Sequence, residues 1–369
     1  MGEADCVRQL VVRRRVSLTA AARYTGTRED EMKAAVLHAI GEPLRIEEVP
    51  TPHPGPGQVL VKIAAAGVCH SDLHQQDGSV PPHRIPLIMG HENAGWVAGL
   101  GQGAEGLAEG DPVVVYGGWG CGHCRFCLGG QEQLCDGTRW AGLGPDGGYA
   151  EYLLVPATRH LLPAGRLDLV KAAGLTDAGL SSYRAVNKAL PYLRAGRTAV
   201  VIGTGGLGQY GVQYLKLMTS ATVIVVETTP VRRQLALSLG ADHAIDGSAP
   251  DSLEQIRELS GDEGTAAVLD FVGIDATMRL GLASLARQGL LVLVGLAGGS
   301  VPVGFFSQAS EAAITTSTWG SRNDLAEVIA LAQQGKLTAT TESHRLDDIN
   351  QVLERLEHGL VEGRAVVVP

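Results

Sequence analysis

Four of the six cysteines in this 369-residue chain lie within one short stretch, GCGHCRFCLGGQEQLC. They are Cys121, Cys124, Cys127 and Cys135, with the spacing C-x2-C-x2-C-x7-C. Four thiolates this close together can surround one zinc ion tetrahedrally, and they leave no coordination position for a substrate. An iron–sulfur cluster is the alternative, although Asp136 stands where ferredoxin-type motifs carry proline after the last cysteine. The stretch therefore predicts a structural zinc site, with the chemistry elsewhere.

A second set of metal-binding side chains lies earlier in the chain. Cys69 occurs in GVCHSDLH and His91 in GHE. One thiolate, one imidazole and a third anionic ligand leave an open fourth position on zinc, as a catalytic site requires. A lone cysteine or histidine is more often an ordinary core residue. The prediction that Cys69 and His91 bind zinc therefore depends on the other motifs of the chain.

A glycine-rich motif lies between the apolar run TAVVI and a helical pattern. It consists of Gly203, Thr204, Gly205, Gly206, Leu207 and Gly208. Such glycines let the backbone turn tightly against a pyrophosphate, and the N–H groups of the following helix face that anion. Glu227 closes the next predicted strand, where its carboxylate can accept hydrogen bonds from both ribose hydroxyls and would repel a 2′-phosphate. The motif predicts NAD as the cofactor.

Two arginines keep NADP as an alternative cofactor. Arg232 and Arg233 follow Glu227 closely, and guanidinium groups in this region can accommodate a 2′-phosphate. They could instead pair with the adenosine side of NAD.

Short β-like runs separated by glycine and proline occupy the first part of the chain, at 58–68, 111–116 and 149–155. They indicate an irregular, antiparallel, loop-rich domain. The pattern then changes, because apolar runs begin to alternate with helical segments. The predicted strands are 198–202, 222–226, 266–272 and 290–294, and the predicted helices include 230–240 and 275–287. This alternation indicates a doubly wound parallel sheet.

The same patterns predict the division into domains. Residues 32–175 and 314–369 form a catalytic zinc domain, because the closing strand RAVVV returns to the first region. Residues 176–313 form the dinucleotide-binding domain. Residues 1–31 are Arg-rich without a clear apolar period, so we predict a disordered extension, translated from an upstream start codon. A transit peptide is the alternative for this segment.

Composition excludes several classes of function. The net charge is -9 and the pI is about 5.7, so nothing supports the basic face that non-specific nucleic-acid binding needs. No apolar run is long enough to span a bilayer. The cysteines cluster instead of following a disulfide-like pattern, which favours a reducing, cytoplasmic compartment.

In combination and order, these motifs resemble those of zinc-dependent medium-chain alcohol dehydrogenases, and the resemblance runs from Met32 to Pro369. It is greatest to the bacterial branch that acts on secondary alcohols and ketones. It implies an α/β fold in which a GroES-like irregular β catalytic domain joins a Rossmann domain with a doubly wound parallel sheet. It also implies a homodimer or homotetramer, with residues 301–310 as the dimerising strand. The partners expected are a small alcohol or ketone, with no nucleic acid and no membrane.

The resemblance also implies the ligands of a catalytic zinc, the second of two zinc ions per chain. Cys69 and His91 match family ligands, and Asp177 stands where many members carry a second cysteine. Glu92 resembles the nearby acid that can visit the metal during ligand exchange. Asp72 resembles the carboxylate that orients the histidine ligand.

A proton relay and further cofactor contacts follow from the same resemblance. Zinc lowers the pKa of an alcohol, Ser71 takes its proton and passes it along the cofactor ribose, and His74 releases it to water. A solvent-facing loop histidine is the alternative for His74. The other cofactor contacts implied are Leu207, Val272, Val294, Leu296 and Arg364.

Four residues are expected at the substrate pocket: Tyr116, Trp119, Val80 and Trp319. Val80 replaces a bulky aromatic of small-alcohol enzymes, which implies room for medium-sized secondary or arylic alcohols. Trp119 could equally pack in the core of the cysteine-rich segment.

Three functions are therefore compared. The leading one is an NAD-dependent zinc alcohol dehydrogenase, and a polyol or aldehyde-reducing member of the same superfamily is the second. The third is a non-catalytic zinc- and nucleotide-binding protein, which would have no reason to keep both Ser71 and His74.

Overall fold

The structure is a computed structural model that describes residues 31–369. The extension predicted over residues 1–31 therefore lies outside the described residues, except for Glu31, which begins the first strand. Within residues 31–369, no helix has both the length and the apolar character needed to cross a membrane.

The strands and helices are numbered in chain order. The strands are β1 (Glu31–Leu37), β2 (Arg45–Pro50), β3 (Val59–Gly67), β4 (Leu87–Ile88), β5 (Glu92–Leu100), β6 (Pro112–Val115), β7 (Gly118–Trp119), β8 (Arg139–Trp140), β9 (Tyr152–Val155), β10 (Leu161–Pro163), β11 (Thr198–Ile202), β12 (Thr222–Glu227), β13 (His243–Asp246), β14 (Thr265–Asp270), β15 (Leu285–Leu293), β16 (Ala313–Thr316), β17 (Thr341–Arg345) and β18 (Arg364–Val368). The α-helices are α1 (His70–Gln76), α2 (Arg125–Leu128), α3 (Leu169–Ala173), α4 (Ala178–Ala189), α5 (Gly208–Met218), α6 (Pro230–Ser238), α7 (Ser252–Ser260), α8 (Asp275–Ser284), α9 (Arg322–Gln333) and α10 (Ile349–Glu357).

The first part of the chain forms short, mostly antiparallel sheets. The larger sheet has the strand order β10-β6-β5-β3-β18-β17, with β9 also paired to β3, and a smaller sheet has the order β2-β1-β4. Strand β18 pairs antiparallel with β3, so the end of the chain returns to the sheet of the first region. Only the β17–β18 pair of this sheet is parallel.

The second part forms a six-stranded sheet with the order β13-β12-β11-β14-β15-β16, and every pairing in it is parallel. This is the order of a complete doubly wound nucleotide-binding fold, with its switch point between β11 and β14. The α/β fold class predicted from sequence is confirmed. The inner strands are buried on both faces, which explains why they read as continuous apolar runs.

Three local predictions differ from the structure. The helix predicted over 275–287 ends at Ser284, because Leu285 already pairs with Thr265 in the sheet. Residues 301–310 form turns and loop instead of the expected strand, because Pro302 cannot donate to a ladder and no neighbouring strand of the described chain lies beside them. Strand β16 crosses the predicted domain boundary between residues 313 and 314, so the parallel sheet reaches Thr316.

Candidate functional site

The predicted catalytic ligands come from three separate elements that meet in the fold. Cys69 caps the N-terminus of α1 just after β3, and His91 immediately precedes β5. Strands β3 and β5 are paired, with Gly67 opposite Glu92, so the two ligands are brought side by side. Asp177 immediately precedes α4. The sheet and this helix therefore gather residues that are more than 100 positions apart in sequence.

The donor atoms of this cluster are close enough to share one ion. Asp177 Oδ2 lies 3.7 Å from Cys69 Sγ and 3.5 Å from His91 Nε2. Zinc bonds of about 2.0–2.3 Å in a tetrahedron place ligand atoms about 3.3–3.8 Å apart. All three side chains are buried. The donor set and its spacing therefore fit a zinc ion.

Asp177 is held in its anionic form by its surroundings. Burial alone would raise the pKa of this carboxyl, but hydrogen bonding and charge from His91, with the charge of Arg364, hold the pKa well below its usual range. Ser181 donates a hydrogen bond to Asp177 Oδ1 at 2.7 Å. The sequence motifs do not indicate Ser181, although its position one turn along α4 could have suggested it.

Glu92 lies in the same cluster but is already paired. Its carboxylate accepts hydrogen bonds from both Nε and Nη2 of Arg364, with 2.9 Å for Nε, and from the backbone N–H of Ala178. The family resemblance implies that Arg364 contacts the cofactor, and in the structure its guanidinium is buried between Glu92 and Asp177. It also borders the glycine-rich turn, because a Cβ atom at Gly206 would lie 2.7 Å from Arg364 Nη1. Arg364 thus connects the ligand cluster to that turn.

Asp72 has the position expected for a residue that orients the histidine. Its Oδ1 lies 3.3 Å from Nδ1 of His91, and its Oδ2 accepts the backbone N–H of Cys69 at 2.8 Å. Ser71 Oγ lies 3.6 Å from Cys69 Sγ, so its hydroxyl borders the ligand set. His74 is half-buried further along the same helix, with Nδ1 3.2 Å from the hydroxyl of Ser79.

The glycine-rich turn lies at the carboxyl end of β11, beside the switch point of the parallel sheet. Gly203 has a φ of +81°, a conformation that residues with a Cβ atom rarely adopt. A Cβ atom at Gly208 would lie 1.9 Å from the carbonyl oxygen of Gly203. Among residues 31–369, no atom lies within 4 Å of the Cβ position of Gly205, so this part of the turn leaves room for a ligand. The turn is thus shaped for close approach of a ligand at the N-terminus of α5.

Glu227 is buried under this turn and is tied to it. Its Oε2 accepts the backbone N–H of Thr204 at 2.9 Å, and its Oε1 accepts that of Thr229 at 2.9 Å. Burial would raise the pKa of Glu227, but these N–H donors lower it below its usual value, so the carboxylate stays charged. The hydroxyls of Thr204 and Thr228 also lie 3.2 and 3.4 Å from its oxygens, so four donors surround the carboxylate and a ribose hydroxyl would have to share or replace one of them.

The two arginines beside Glu227 already bind protein groups. Arg232 donates to the carbonyl oxygens of Gly359 and Val361 at 3.0 and 3.1 Å. Arg233 donates to the carbonyl oxygen of Glu227 at 2.7 Å and forms an ion pair with Asp246. Both guanidinium groups are thus partly engaged by protein groups.

The remaining residues predicted near the cofactor follow the ends of parallel strands. Val272 and Val294 lie just beyond β14 and β15, on the same edge of the sheet as the glycine-rich turn. Leu207 directly precedes α5, and its carbonyl oxygen accepts a hydrogen bond from Ser182 at 2.8 Å. Leu296 is 63% exposed. An exposed leucine at this edge is available to a ligand but contributes little to the core.

An aromatic pair stands next to the ligand cluster. The ring of Trp319 meets the His91 ring edge-on, with centroids 5.6 Å apart, and stacks on Trp140 at 4.4 Å. The Trp319 indole N–H donates to the carbonyl oxygen of Thr176, the residue before Asp177. Trp140 is not indicated by any sequence motif, and only its closeness to the cysteine-rich segment could have drawn attention to it.

The other residues expected at the substrate pocket lie differently. Tyr116 is fully buried, and its hydroxyl donates to the carbonyl oxygen of Gly320 at 2.9 Å. Trp119 is buried in the core, and its indole N–H donates to the carbonyl oxygen of Tyr116. The expectation that these two side chains line a pocket is not matched here, because their polar groups bind backbone and their rings pack in the core. Val80 is exposed in the loop after α1.

The four cysteines form a separate cluster in the segment that includes α2. Their sulfur atoms all lie within 4.8 Å of one another, with Cys127 Sγ 3.6 Å from Cys124 Sγ and 3.9 Å from Cys121 Sγ. These distances suit four sulfurs around one zinc ion and are far too long for disulfides. Backbone N–H groups of Cys121 and Gly137 lower the pKa of Cys135 to about 6, which favours the thiolate that a metal needs.

Comparison with known proteins gives the family. Residues 55–165 match the alcohol dehydrogenase GroES-like domain, and residues 206–334 match the zinc-binding dehydrogenase family. An NAD-dependent alcohol dehydrogenase of Sulfurisphaera tokodaii is 38% identical, over 92% of this chain and 100% of its own. A D-arabinose 1-dehydrogenase (NADP(+)) of Saccharolobus solfataricus is also 38% identical, over 91% of this chain and 97% of its own.

A solved structure agrees with these sequence matches. The alcohol dehydrogenase of the archaeon Aeropyrum pernix has a TM-score of 0.86 and 40% identity, covering 91% of this chain and 100% of that one. The predicted fold, enzyme class and cofactors, zinc and NAD, are confirmed by these relatives. The chain belongs to the zinc-dependent medium-chain alcohol dehydrogenases, enzymes that interconvert alcohols with ketones or aldehydes.

Proposed function

We propose that Cys69, His91 and Asp177 hold the catalytic zinc of this dehydrogenase. The proposal rests on the convergence of three buried donor atoms. Asp177 Oδ2 lies 3.7 Å from Cys69 Sγ and 3.5 Å from His91 Nε2. Glu92 has its carboxylate engaged by Arg364, which leaves three protein ligands and an open fourth position. An open position is what distinguishes a catalytic zinc site from a structural one.

A zinc ion held by these residues would supply Lewis-acid polarisation of the alcohol oxygen, and NAD bound at the glycine-rich turn would supply the hydride acceptor. The residues of the chain manage the proton. The Ser71 hydroxyl borders the ligand set and can accept the proton of the alcohol. His74 lies three residues further along α1, hence on the same helix face, and its half-exposed ring can release a proton to water.

Cofactor binding is assigned to the glycine-rich turn and to Glu227. The proposed contacts with NAD are Gly203, Gly205, Gly206, Leu207, Gly208, Val272, Val294 and Leu296. Arg232 and Arg364 are also proposed to contact NAD. Each already donates hydrogen bonds to protein groups, so it would contact NAD through its remaining guanidinium N–H groups. The buried charge of Glu227 supports NAD over NADP, because it would repel a 2′-phosphate.

We assign the four-cysteine cluster to a second, structural zinc ion, giving two per chain. Four sulfur ligands would fill a tetrahedral shell, so no position remains for a substrate. The catalytic domain is proposed to comprise residues 32–175 with 317–369, and the cofactor domain residues 176–316, which include the whole of β16. The location is proposed to be cytoplasmic, and the assembly a homodimer or homotetramer.

The substrate proposed is a medium-sized secondary or arylic alcohol, or the corresponding ketone. The paired rings of Trp319 and Trp140 support it, because they place a flat apolar surface beside His91. Trp319 has a φ of 47°, which is unusual for a bulky residue. Strained backbone of this kind concentrates at functional sites.

A sugar or polyol is the second candidate substrate. It is favoured by one observation, the 38% identity with a D-arabinose 1-dehydrogenase. A site for a polyol would need several hydrogen-bonding side chains, whereas the nearest rings to His91 are indoles with one N–H already bound to Thr176. The geometry therefore favours the less polar alcohol.

One preparation can test the whole proposal. Zinc per chain is quantified, and NADH formation is then followed with 2-propanol, 2-octanol, 1-phenylethanol, benzyl alcohol, sorbitol and D-arabinose. We expect two zinc ions and the highest kcat/KM on 2-octanol or 1-phenylethanol. Highest activity on sorbitol or D-arabinose would overturn the substrate proposal, and one zinc ion without turnover would overturn the ligand set.

A further inference from the structure

Tyr149 lies behind the predicted ligand His91 and is fully buried. Its hydroxyl donates to Oδ2 of Asp72 at 2.7 Å. The other oxygen of that carboxylate, Oδ1, lies 3.3 Å from Nδ1 of His91. Tyrosine, aspartate and histidine thus form a chain of polar contacts that ends at the ligand cluster.

The backbone around Tyr149 is fixed to the segment that carries His91. The N–H of Gly148 donates to the carbonyl oxygen of Gly90 at 2.8 Å, and the N–H of Tyr149 donates to that of Met89 at 3.0 Å. The tyrosine ring lies against Gly90, where a Cβ atom would be 2.6 Å from Tyr149 Cδ1. These contacts fix the position of the tyrosine ring and therefore the position of its hydroxyl beside Asp72.

Two donors hold the same oxygen of Asp72. Oδ2 accepts from the Tyr149 hydroxyl and from the backbone N–H of Cys69, whereas Oδ1 has no aligned hydrogen bond in the described chain and faces His91. Two bonds to one oxygen fix the rotation of a carboxylate and so aim the other oxygen. Burial raises the pKa of Tyr149 well above its usual value, so its hydroxyl remains a donor.

We infer that Tyr149 is a positioning residue of the catalytic zinc site, acting through Asp72 to hold His91 with Nε2 toward the metal. The inference rests on the ligand set proposed above. Outer partners of this kind raise metal affinity by fixing the orientation and tautomer of a histidine ligand. Removing the hydroxyl would free the buried carboxylate to turn, and His91 would then lose its fixed orientation.

The chain provides a matched control for this hydroxyl. Tyr214 is also a fully buried tyrosine, and its hydroxyl has no hydrogen-bond partner among the described residues. Tyr149→Phe and Tyr214→Phe therefore remove the same atom from equally buried rings. Only the first removal breaks a contact that leads to the ligand cluster.

The test is zinc affinity, measured by competition with a chromophoric chelator on the full chain. Cys69→Ala identifies which of the two release steps belongs to the catalytic site. We expect Tyr149→Phe to weaken that step about tenfold and to leave the other step unchanged. We also expect a shift in the visible absorption bands of the cobalt-substituted site. Tyr214→Phe should change neither the affinity nor the spectrum.

A double variant separates positioning from general loosening. In an Asp72→Asn background, Tyr149→Phe should cause no further loss of zinc affinity, since its route to His91 is already broken. Equal effects in both backgrounds, or an unchanged catalytic release step and cobalt spectrum in Tyr149→Phe, would overturn the inference while leaving the ligand set intact. Retention of both zinc ions by Cys69→Ala would overturn the ligand set and this inference together.

Discussion

Residues 31–369 carry two clusters of metal-ligand type that are built in opposite ways. The four cysteines come from one stretch of fifteen residues, 121–135, and Cys121 is exposed to solvent. Cys69, His91 and Asp177 come from distant parts of the chain and are buried. Both sets bring their donor atoms within 4.8 Å of one another. Both clusters therefore have closely spaced ligand atoms, and this spacing alone does not show which site is catalytic.

The surroundings of the two clusters make the difference. Around the buried cluster, Asp72, Ser181 and Arg364 each contact a ligand or its neighbouring carboxylate, Glu92. In the cysteine cluster, backbone N–H groups lower the pKa of Cys135, whereas burial raises the pKa of Cys127. A site that must hold a metal, orient a substrate and move a proton needs side chains beyond the ligands. A site that only fastens a loop needs the ligands alone.

Removing one ligand from each cluster tests directly which cluster is catalytic and which is structural. Cys69→Ala should lower turnover at least about a thousandfold, because several kcal/mol of Lewis-acid stabilisation are lost. Its Tm should stay close to that of the parent. Cys121→Ala should lower Tm by roughly 5–10 °C, because metal binding there contributes to folding, while chains that remain folded keep most of their turnover. Kinetics and thermal unfolding on both variants check this, and the reverse pattern would exchange the two assignments.

Ser71→Ala tests whether the buried cluster has the proton-handling group that the cysteines lack. We expect kcat to fall about 100-fold or more, in line with the contribution of one acid–base group. Zinc content should stay at two per chain, because the serine hydroxyl only borders the ligands. A kcat within twofold of the parent would remove Ser71 from the relay.

Glu227→Ala tests the cofactor end of the same site. The ratio of kcat/KM for NAD to that for NADP should fall roughly 10- to 100-fold, since hydrogen bonds to charged groups contribute about 1.5–3 kcal/mol. The bonds from Thr204 and Thr229 are lost as well, so Tm should fall slightly. Thr228→Ala is a suitable control, because it removes a long and therefore weak contact, 3.4 Å from the Thr228 hydroxyl to Glu227 Oε1, and keeps the carboxylate. An unchanged ratio would deny Glu227 its discriminating role.

Trp319→Leu tests substrate choice and has the smallest expected effect. Preference for 1-phenylethanol over 2-octanol should fall about 2- to 10-fold, the range of one aromatic contact of about 0.5–1.5 kcal/mol. Trp119→Leu is the control, since Trp119 is buried in the core and its indole N–H donates to the carbonyl oxygen of Tyr116. The comparison is made on kcat/KM ratios, which cancel losses of folded protein. If Trp119→Leu changed the preference for 1-phenylethanol more than Trp319→Leu did, Trp119 and not Trp319 would be the residue that lines the pocket.

The sequence predicts the fold class correctly because that prediction depends on local signals, whereas the zinc ligands stay a prediction. The glycine motif with Glu227, the cysteine spacing and the apolar runs each occupy a short window. What it misses depends on three-dimensional packing. The stacking of Trp140 on Trp319 and the link from Arg364 to Glu92 join residues far apart in sequence. Residues 301–310, where a strand was expected, contain Pro302 and form turns and loop without a ladder partner among residues 31–369.

We propose that the chemistry takes place at Cys69, His91 and Asp177, whereas the four cysteines only stabilise a loop. The most direct test is anomalous diffraction at the zinc edge from crystals grown with NADH and an unreactive alcohol analogue. We expect two zinc peaks, with the alcohol oxygen as the fourth neighbour of the buried ion and four sulfurs around the other. A missing peak at the buried cluster, or an alcohol bound beside the cysteines, would contradict the account.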